Sequence, residues 1–210
     1  MYHCGVRLLL ASRSPRRAEL LAAAGFEFDV EPTDVDECWL STEAPLAYVT
    51  RVAEAKAAVV AARHPDRVVL GADTIVLAGG QPFGKPADDV EASAMLRQLS
   101  GRTHDVLTGV AIRQGDRRVA DVGVTRVRFV ELSDDAIAWY VASGEPRGKA
   151  GAYAIQGLAS RFVDRIEGSY TNVVGVPIEV LDRLLRALSG ALAPAFSRTP
   201  RAPRQTSLGR

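Results

Sequence analysis

The sequence predicts an α/β fold, a mixed and twisted β-sheet flanked by helices. Short apolar runs of strand type alternate with helix-length segments that carry their own caps. Two long β-rich stretches lie side by side with a turn signal between them, which adds antiparallel pairs to the parallel ones that βα alternation implies. The 210 residues, 47% hydrophobic and 24% charged, suffice for one sizeable core.

Residues 8–11 are an apolar run ending in polar residues, as a buried strand does where it leaves a sheet. Ser14 then suits a helix N-cap and Pro15 the first helical position; residues 16–24 read as helix, and Gly25 is placed to stop it in the left-handed region. Residues 26–30 alternate like a strand and lead into an acidic loop, Asp34 to Glu37. Residues 45–62 form a long Ala-rich helix. Residues 68–70 read as a buried strand ending in Gly-Ala-Asp-Thr, with a second extended piece at 75–77. Asp88 and Glu91 make a capping box for a helix to Leu99. Residues 103–113 and 118–131 are the two β-rich stretches, with Gln114-Gly115-Asp116 as the hairpin signal. Ser133 caps a helix to Ala142, residues 151–156 and 162–166 look extended, and Pro177 opens a last helix.

Composition narrows the function. No stretch approaches the roughly 18 apolar residues of a membrane span, and no signal peptide is evident, so a soluble cytoplasmic protein with no membrane partner is expected. Cys4 and Cys38 show no metal-ligand spacing, which favours free thiols in a reducing compartment. The net charge of +1 hides an asymmetry: after residue 182 come six arginines and no acid, so the preceding body is slightly acidic. That body offers no extended nucleic-acid face, and no nucleic-acid partner is expected. Residues 1–189 are expected to form one domain, and residues 190–210, small, Pro-bearing and basic, a disordered tail.

Several segments carry chemistry. The helix after the first strand has Arg16 and Arg17 in its first turn, where the partial positive charge normally attracts Asp or Glu. With Ser12 and Ser14 beside them, that mouth suits phosphate; two solvated arginines explain it equally. Asp73, in LGADTIV, falls just past the carboxyl end of a strand, where a carboxylate can hold a divalent cation or act as general base, or can simply shape a turn. Glu37, in DVDECWL, would supply the second carboxylate that metal-assisted hydrolysis uses. Arginine is the default cation here, and the chain keeps only three lysines: Lys56, Lys85 and Lys149. On its helix Lys56 reads first as a surface residue beside Arg51 and Glu54, while Lys85 sits in a Gly-Lys-Pro loop. Residues 144–157, GEPRGKAGAYAIQG, have four glycines, two cations and Gln156, whose amide could read a nucleobase edge; a surface hairpin fits as well. Tyr170 and Asn172 suit either the same cleft or a turn, and the three histidines show no ligand spacing.

Taken in order, ASRSPRRAELL, Asp36-Glu37, AEAKA, GADTIV, GKP, LSGRTHDVLTGV, KAGAYAIQG and IEGSYTNVVGVP resemble the Maf family of nucleoside triphosphate pyrophosphatases, across roughly residues 8–188. The resemblance implies the fold shared with inosine triphosphatases, two lobes around a central cleft. It implies metal-dependent cleavage of a nucleoside triphosphate between the α and β phosphates, a homodimer, and a housecleaning role linked to septum formation and division arrest. KAGAYAIQG is similar to the branch acting on dTTP and UTP. The resemblance makes Asp73 the proton acceptor, Arg16, Thr74 and Gln156 the positions that set substrate choice, and Ser12, Arg17, Glu37, Lys56 and Lys85 the rest of the polar pocket. Asp73 and Glu37 are then the expected ligands of Mg²⁺ or Mn²⁺. The alternatives are a non-enzymatic nucleotide sensor in division arrest and a pyrophosphatase with purine preference.

Overall fold

A computed structural model describes residues 6–40 and 42–190. All but the first residue of the tail expected to be disordered, 190–210, therefore falls outside the described residues, as do Cys4 and His3.

The sheet is mixed, as the sequence predicts. β1 (Leu8–Leu10) runs parallel to both β2 (Phe28–Val30) and β3 (Val68–Ala78). β3 pairs antiparallel with β5 (Thr103–Gln114), β5 with β6 (Arg117–Phe129), and β6 with β7 (Val163–Glu167). The short β4 (Gln81–Phe83) folds back on the end of β3, giving seven strands in the order β2-β1-β3-β5-β6-β7 with β4 beside β3. A two-residue turn at Gly115 and Asp116 joins β5 to β6 where the hairpin signal stands, with Gly115 at φ +55.

One face is covered by α2 (Pro45–Ala61). Its small residues, Ala53 and Ala57, lie on Gly71, and Val49 lies over Gly109. A Cβ at Gly71 would stand 2.2 Å from the Ala53 carbonyl oxygen, and one at Gly109 the same distance from that of Val49. The helix backbone can approach the sheet this closely only because both strands carry glycine there. The other face has two clusters. α6 (Ile178–Leu188) packs Val180, Leu181, Leu184 and Leu185 onto Leu8, Leu10, Leu70, Val110 and Ile112. α3 (Asp89–Leu99) and α4 (Asp134–Ala142) pack around Phe129, Val127, Val76 and Tyr140. α1 (Pro15–Ala23) and the one-turn α5 (Tyr170–Val174) complete that side. Two of the expected caps bond as caps, Asp88 accepting from the Glu91 amide at 2.8 Å and Ser133 from that of Ala136 at 3.2 Å, while Ser14 holds the N-cap position of α1 without a capping side-chain bond.

Two readings of local structure are corrected. Gly-Ala-Asp-Thr does not end a strand; β3 continues through it, because β5 offers an unbroken antiparallel ladder with Asp73 opposite Gly109. Residues 151–156 are not extended but begin with a 3₁₀ turn, Ala150–Ala152, in which Gly151 takes φ +68.

The continuous β3 positions the cleft. On one edge β1 covers Val68 to Leu70 and β4 covers Val76 to Ala78, so residues 71–75 have no strand beside them. β1 ends at that gap and gives way to the N-terminus of α1, the kind of topological switch point at which open α/β sheets bind ligands.

Candidate active site

The gap opens into a cleft of about 610 Å³, and all nine residues that the family resemblance assigns to the site line it: Ser12, Arg16, Arg17, Glu37, Lys56, Asp73, Thr74, Lys85 and Gln156. Alternation along β3 sends Asp73 toward α2 and Thr74 toward the opposite face, which gives the two neighbours different surroundings.

On the α2 side Lys56 is not the surface lysine its helix suggests. It is buried, and its Nζ bridges two carboxylates, 2.7 Å from Asp73 Oδ1 and 2.6 Å from Glu37 Oε1. Lys85 Nζ approaches the other oxygen of Glu37 at 3.4 Å. Burial pushes the Glu37 carboxyl up, but the hydrogen bond and charge of Lys56, helped by Lys85, outweigh it and hold the group below the usual carboxylate range. The loop carrying Glu37 is fastened to the helix that carries Lys56. The Tyr48 hydroxyl donates to the Glu37 carbonyl at 2.8 Å, Arg51 Nη2 donates to the Cys38 carbonyl at 3.0 Å, and Trp39 stacks on Tyr48 with ring centroids 4.4 Å apart. The sequence reading missed Tyr48; its one signal is that residues 48, 52 and 56 share a helix face.

On the other side the two arginines at the helix mouth part company. Arg17 turns inward and is buried, donating from Nε to the Gly175 carbonyl at 3.0 Å, from Nη1 to Ser12 Oγ at 3.1 Å and from Nη2 to Thr74 Oγ1 at 3.1 Å. Burial lowers its pKa against the opposing charge of Asp73, yet a guanidinium stays protonated in proteins. Arg16 is half-buried, lines the cleft and makes no hydrogen bond or ion pair within the described residues. Burial lowers its pKa as well, with Tyr140, Glu19 and Glu145 opposing.

The hydroxyl protons can be assigned. Thr108 Oγ1 donates to the Asn172 carbonyl at 2.9 Å, so its single proton is used there. In the 3.0 Å contact between the two threonines Thr74 must then be the donor, and it accepts from Arg17 in turn. Thr74 therefore meets the cleft with a lone pair and no proton. Asn172, which suited either cleft or turn, is wholly buried away from the cleft, donating to the Val106 carbonyl at 2.9 Å and to Thr125 Oγ1 at 3.0 Å; Tyr170 is exposed.

At the far end Gln156 is exposed and its amide has no partner within the described residues. Lys149 lies nearby; burial lowers its pKa, and the charge of Arg16 lowers it further. Two exposed pairs stand at the rim, Arg13 with Asp34 at 2.6 Å and Arg147 with Asp89 at 3.0 Å.

Among the described residues no group of three or more His, Cys, Asp or Glu gathers as a ready metal cage. Asp73 and Glu37 supply hard oxygens beside each other, and Lys56 holds one oxygen of each. That donor set fits a hard divalent cation that keeps waters and takes the rest of its ligands from substrate phosphates, the usual mode for Mg²⁺.

Residues 7–188 match the family described as Maf-like protein. The chain is 49% identical to a dTTP/UTP pyrophosphatase of Koribacter versatilis over 88% of this chain and 96% of that protein. It is 52% identical to a dTTP/UTP pyrophosphatase of Geobacter sulfurreducens over 86% of this chain and 96% of that one. Among solved structures it is similar to the Staphylococcus aureus Ham1 protein, with a TM-score of 0.49 and 12% identity over 86% of this chain and 98% of that chain.

Proposed function

The chain belongs to the Maf family, and from that premise we propose that it hydrolyses dTTP and UTP between the α and β phosphates, giving the nucleoside monophosphate and pyrophosphate. The observation that carries the reading is Asp73. One of its oxygens is pinned by a buried lysine, and its carboxylate faces a cleft whose remaining charged groups are largely cations. A sensor needs cations to hold phosphates; it has no use for a carboxylate fixed among them.

The cleft divides the work by chemistry. Arg16, Lys85 and Lys149 neutralise the polyphosphate and the departing pyrophosphate, which is the larger part of catalysing phosphoryl chemistry. Arg17 has given three of its N–H groups to the protein, so its first task is to hold Ser12 and Thr74 in place. Asp73 Oδ2, the oxygen that Lys56 leaves open, accepts the proton of a water attacking the α phosphorus. Gln156 offers both a donor and an acceptor to the base. Asp73 and Glu37 would hold Mg²⁺ or Mn²⁺, which when bound offsets phosphate charge.

The same reading extends to a homodimer, to a place in the cytoplasm, where an exposed Cys38 thiol stays reduced, and to removal of modified pyrimidine triphosphates as the physiological task. Light scattering on the purified chain tests the dimer. For the activity, pyrophosphate and monophosphate are measured from a panel of triphosphates with Mg²⁺. Release from dTTP and UTP is expected, falling about 10²–10⁴-fold in Asp73→Asn at unchanged fold, the range for losing a general base. Equal release by that variant removes Asp73 from the mechanism, and no release from any nucleotide removes the enzyme.

A further inference from the structure

Gln156 is exposed and its amide has no partner among the described residues, yet an amide that reads a base must be held in one place. What holds it is a carboxylate outside the cleft lining. The 3₁₀ turn that follows, Leu158–Phe162, has free amides at its start. Glu145 takes them: Oε2 accepts from the Leu158 amide at 2.9 Å and Oε1 from the Ala159 amide at 3.3 Å. On the other side of Gln156 the Ala154 amide donates to the Tyr140 hydroxyl at 3.2 Å, and that hydroxyl donates to Glu145 Oε1 at 2.9 Å. The segment is thus gripped two residues before Gln156 and two and three residues after it, by side chains bonded to each other.

Gly157 shows how close the grip is. A Cβ there would lie 2.2 Å from Glu145 Oε2, so a side chain at 157 would push the carboxylate from its place on the two amides. Its acceptance of two backbone N–H groups and a hydroxyl leaves it little capacity for a ligand.

We propose that Glu145, with Tyr140, is a positioning residue that sets base selectivity by fixing Gln156, without touching the nucleotide. This rests on the pyrophosphatase reading and deepens it. Loosening the clamp lets Gln156 swing, so selection for dTTP and UTP falls while the distant Asp73–Lys56 chemistry persists. Discrimination that depends on an amide held against a base edge is lost when the amide is free to turn away.

The test uses the full chain and three variants, Glu145→Ala, Glu145→Gln and Tyr140→Phe. Amide hydrogen exchange is read first, without any nucleotide. Residues 154–159 are expected to lose protection in Glu145→Ala and to keep part of it in Glu145→Gln, whose amide oxygen retains one acceptor. Steady-state kinetics on dTTP, UTP, dATP and dGTP follow. The expected result for Glu145→Ala is a KM for dTTP raised about tenfold and a pyrimidine-to-purine ratio of kcat/KM narrowed about tenfold, with kcat for dTTP within about threefold of the parent. Tyr140→Phe should move in the same direction by less. Protection unchanged at 154–159 in Glu145→Ala overturns the clamp whatever the substrate. Lost protection with unchanged selectivity overturns the specificity role, as does a uniform fall in kcat across all four nucleotides. A parent chain that hydrolyses none of them defeats the pyrophosphatase reading, and the exchange result still judges the clamp.

Discussion

The two ends of the cleft are built differently although one ligand must span them. At the β3 end, on both faces of the strand, each of these charged groups has a partner: Lys56 sits between Asp73 and Glu37, Lys85 leans on Glu37, and Arg17 is bonded to Ser12, Thr74 and Gly175. At the glycine-rich end Gln156 has no partner and the nearby Arg16 no counter-ion among the described residues. The first end is bonded in advance, around the buried Lys56, Asp73 and Arg17 with Glu37 and Lys85 exposed above them; the second is open, and its polar groups wait for the ligand. Reacting groups gain from being fixed beforehand because reorganisation during the reaction raises the barrier. Groups that discriminate gain from being unsatisfied without substrate, because only the right base completes them.

The largest test of that contrast is Lys56→Met. Met keeps much of the stem's volume and removes the charge, leaving Asp73 buried beside Glu37 with no cation between them. Removing one partner of a buried pair costs about 3–5 kcal/mol, so urea unfolding should show a loss of that order. Glu37 is depressed in the folded protein, so its stabilising contribution is present above the ordinary carboxylate pKa and is lost as pH falls through the depressed value. Without Lys56 burial dominates and the Glu37 carboxyl rises, so the acid limb of the turnover profile should move to higher pH. An unmoved acid limb with normal turnover would show that the triad is structural only.

How much of this was legible follows the same division. Helix caps, the hairpin and the strand at Leu8–Leu10 are local, and their residues announce them: Ser133, Asp88 with Glu91, Gly115. Lys56 was legible only through the family motif and not from its own helix, because nothing in an Ala-rich helix tells that Gly71 and Gly109, far along the chain, let its backbone settle onto the sheet and carry the lysine to Asp73. Asp73 was found in the right motif but set in the wrong backbone, since Gly-Ala-Asp-Thr has turn composition and only the β5 ladder keeps it extended. That Arg16 and Arg17, neighbours in the sequence, meet different surroundings was hidden for a similar reason. Helical geometry sends consecutive residues about 100° apart, and the inner one meets Gly175 from the other end of the chain. Glu145 had no sequence signal beyond its place among glycines.

Arg17→Lys is the next test in size, because it keeps the charge and removes the fork. A lysine cannot reach Gly175, Ser12 and Thr74 together. We expect a stability loss of about 1–3 kcal/mol from buried acceptors left without donors, and turnover lowered about tenfold through a misplaced Thr74. A lysine variant as stable and as active as the parent would mean that Arg17 serves only as a positive charge, and the claim of a pre-bonded end would lose its buried member.

The smallest effect belongs to the open end, at Lys149. It lines the cleft, and burial together with the neighbouring charge of Arg16 lowers its pKa. A lysine so placed is charged at neutral pH and gives up its proton earlier than a free lysine as pH rises. Its attraction for phosphate should fade on the alkaline side, so the parent's KM for dTTP should climb there before kcat changes. In Lys149→Ala the KM at neutral pH should be raised about threefold, the size of one partly screened charge contact, and the alkaline climb should flatten because the titrating group is gone. Stability should hardly move, since Lys149 makes only a 3.4 Å contact to the Arg147 carbonyl. A KM in Lys149→Ala that still climbs with pH as in the parent would shift the titration to another group and leave Lys149 outside the phosphate contacts. A loss of stability there comparable with that of Lys56→Met would end the contrast itself, since the glycine-rich end would then be as tightly interlocked as the catalytic one.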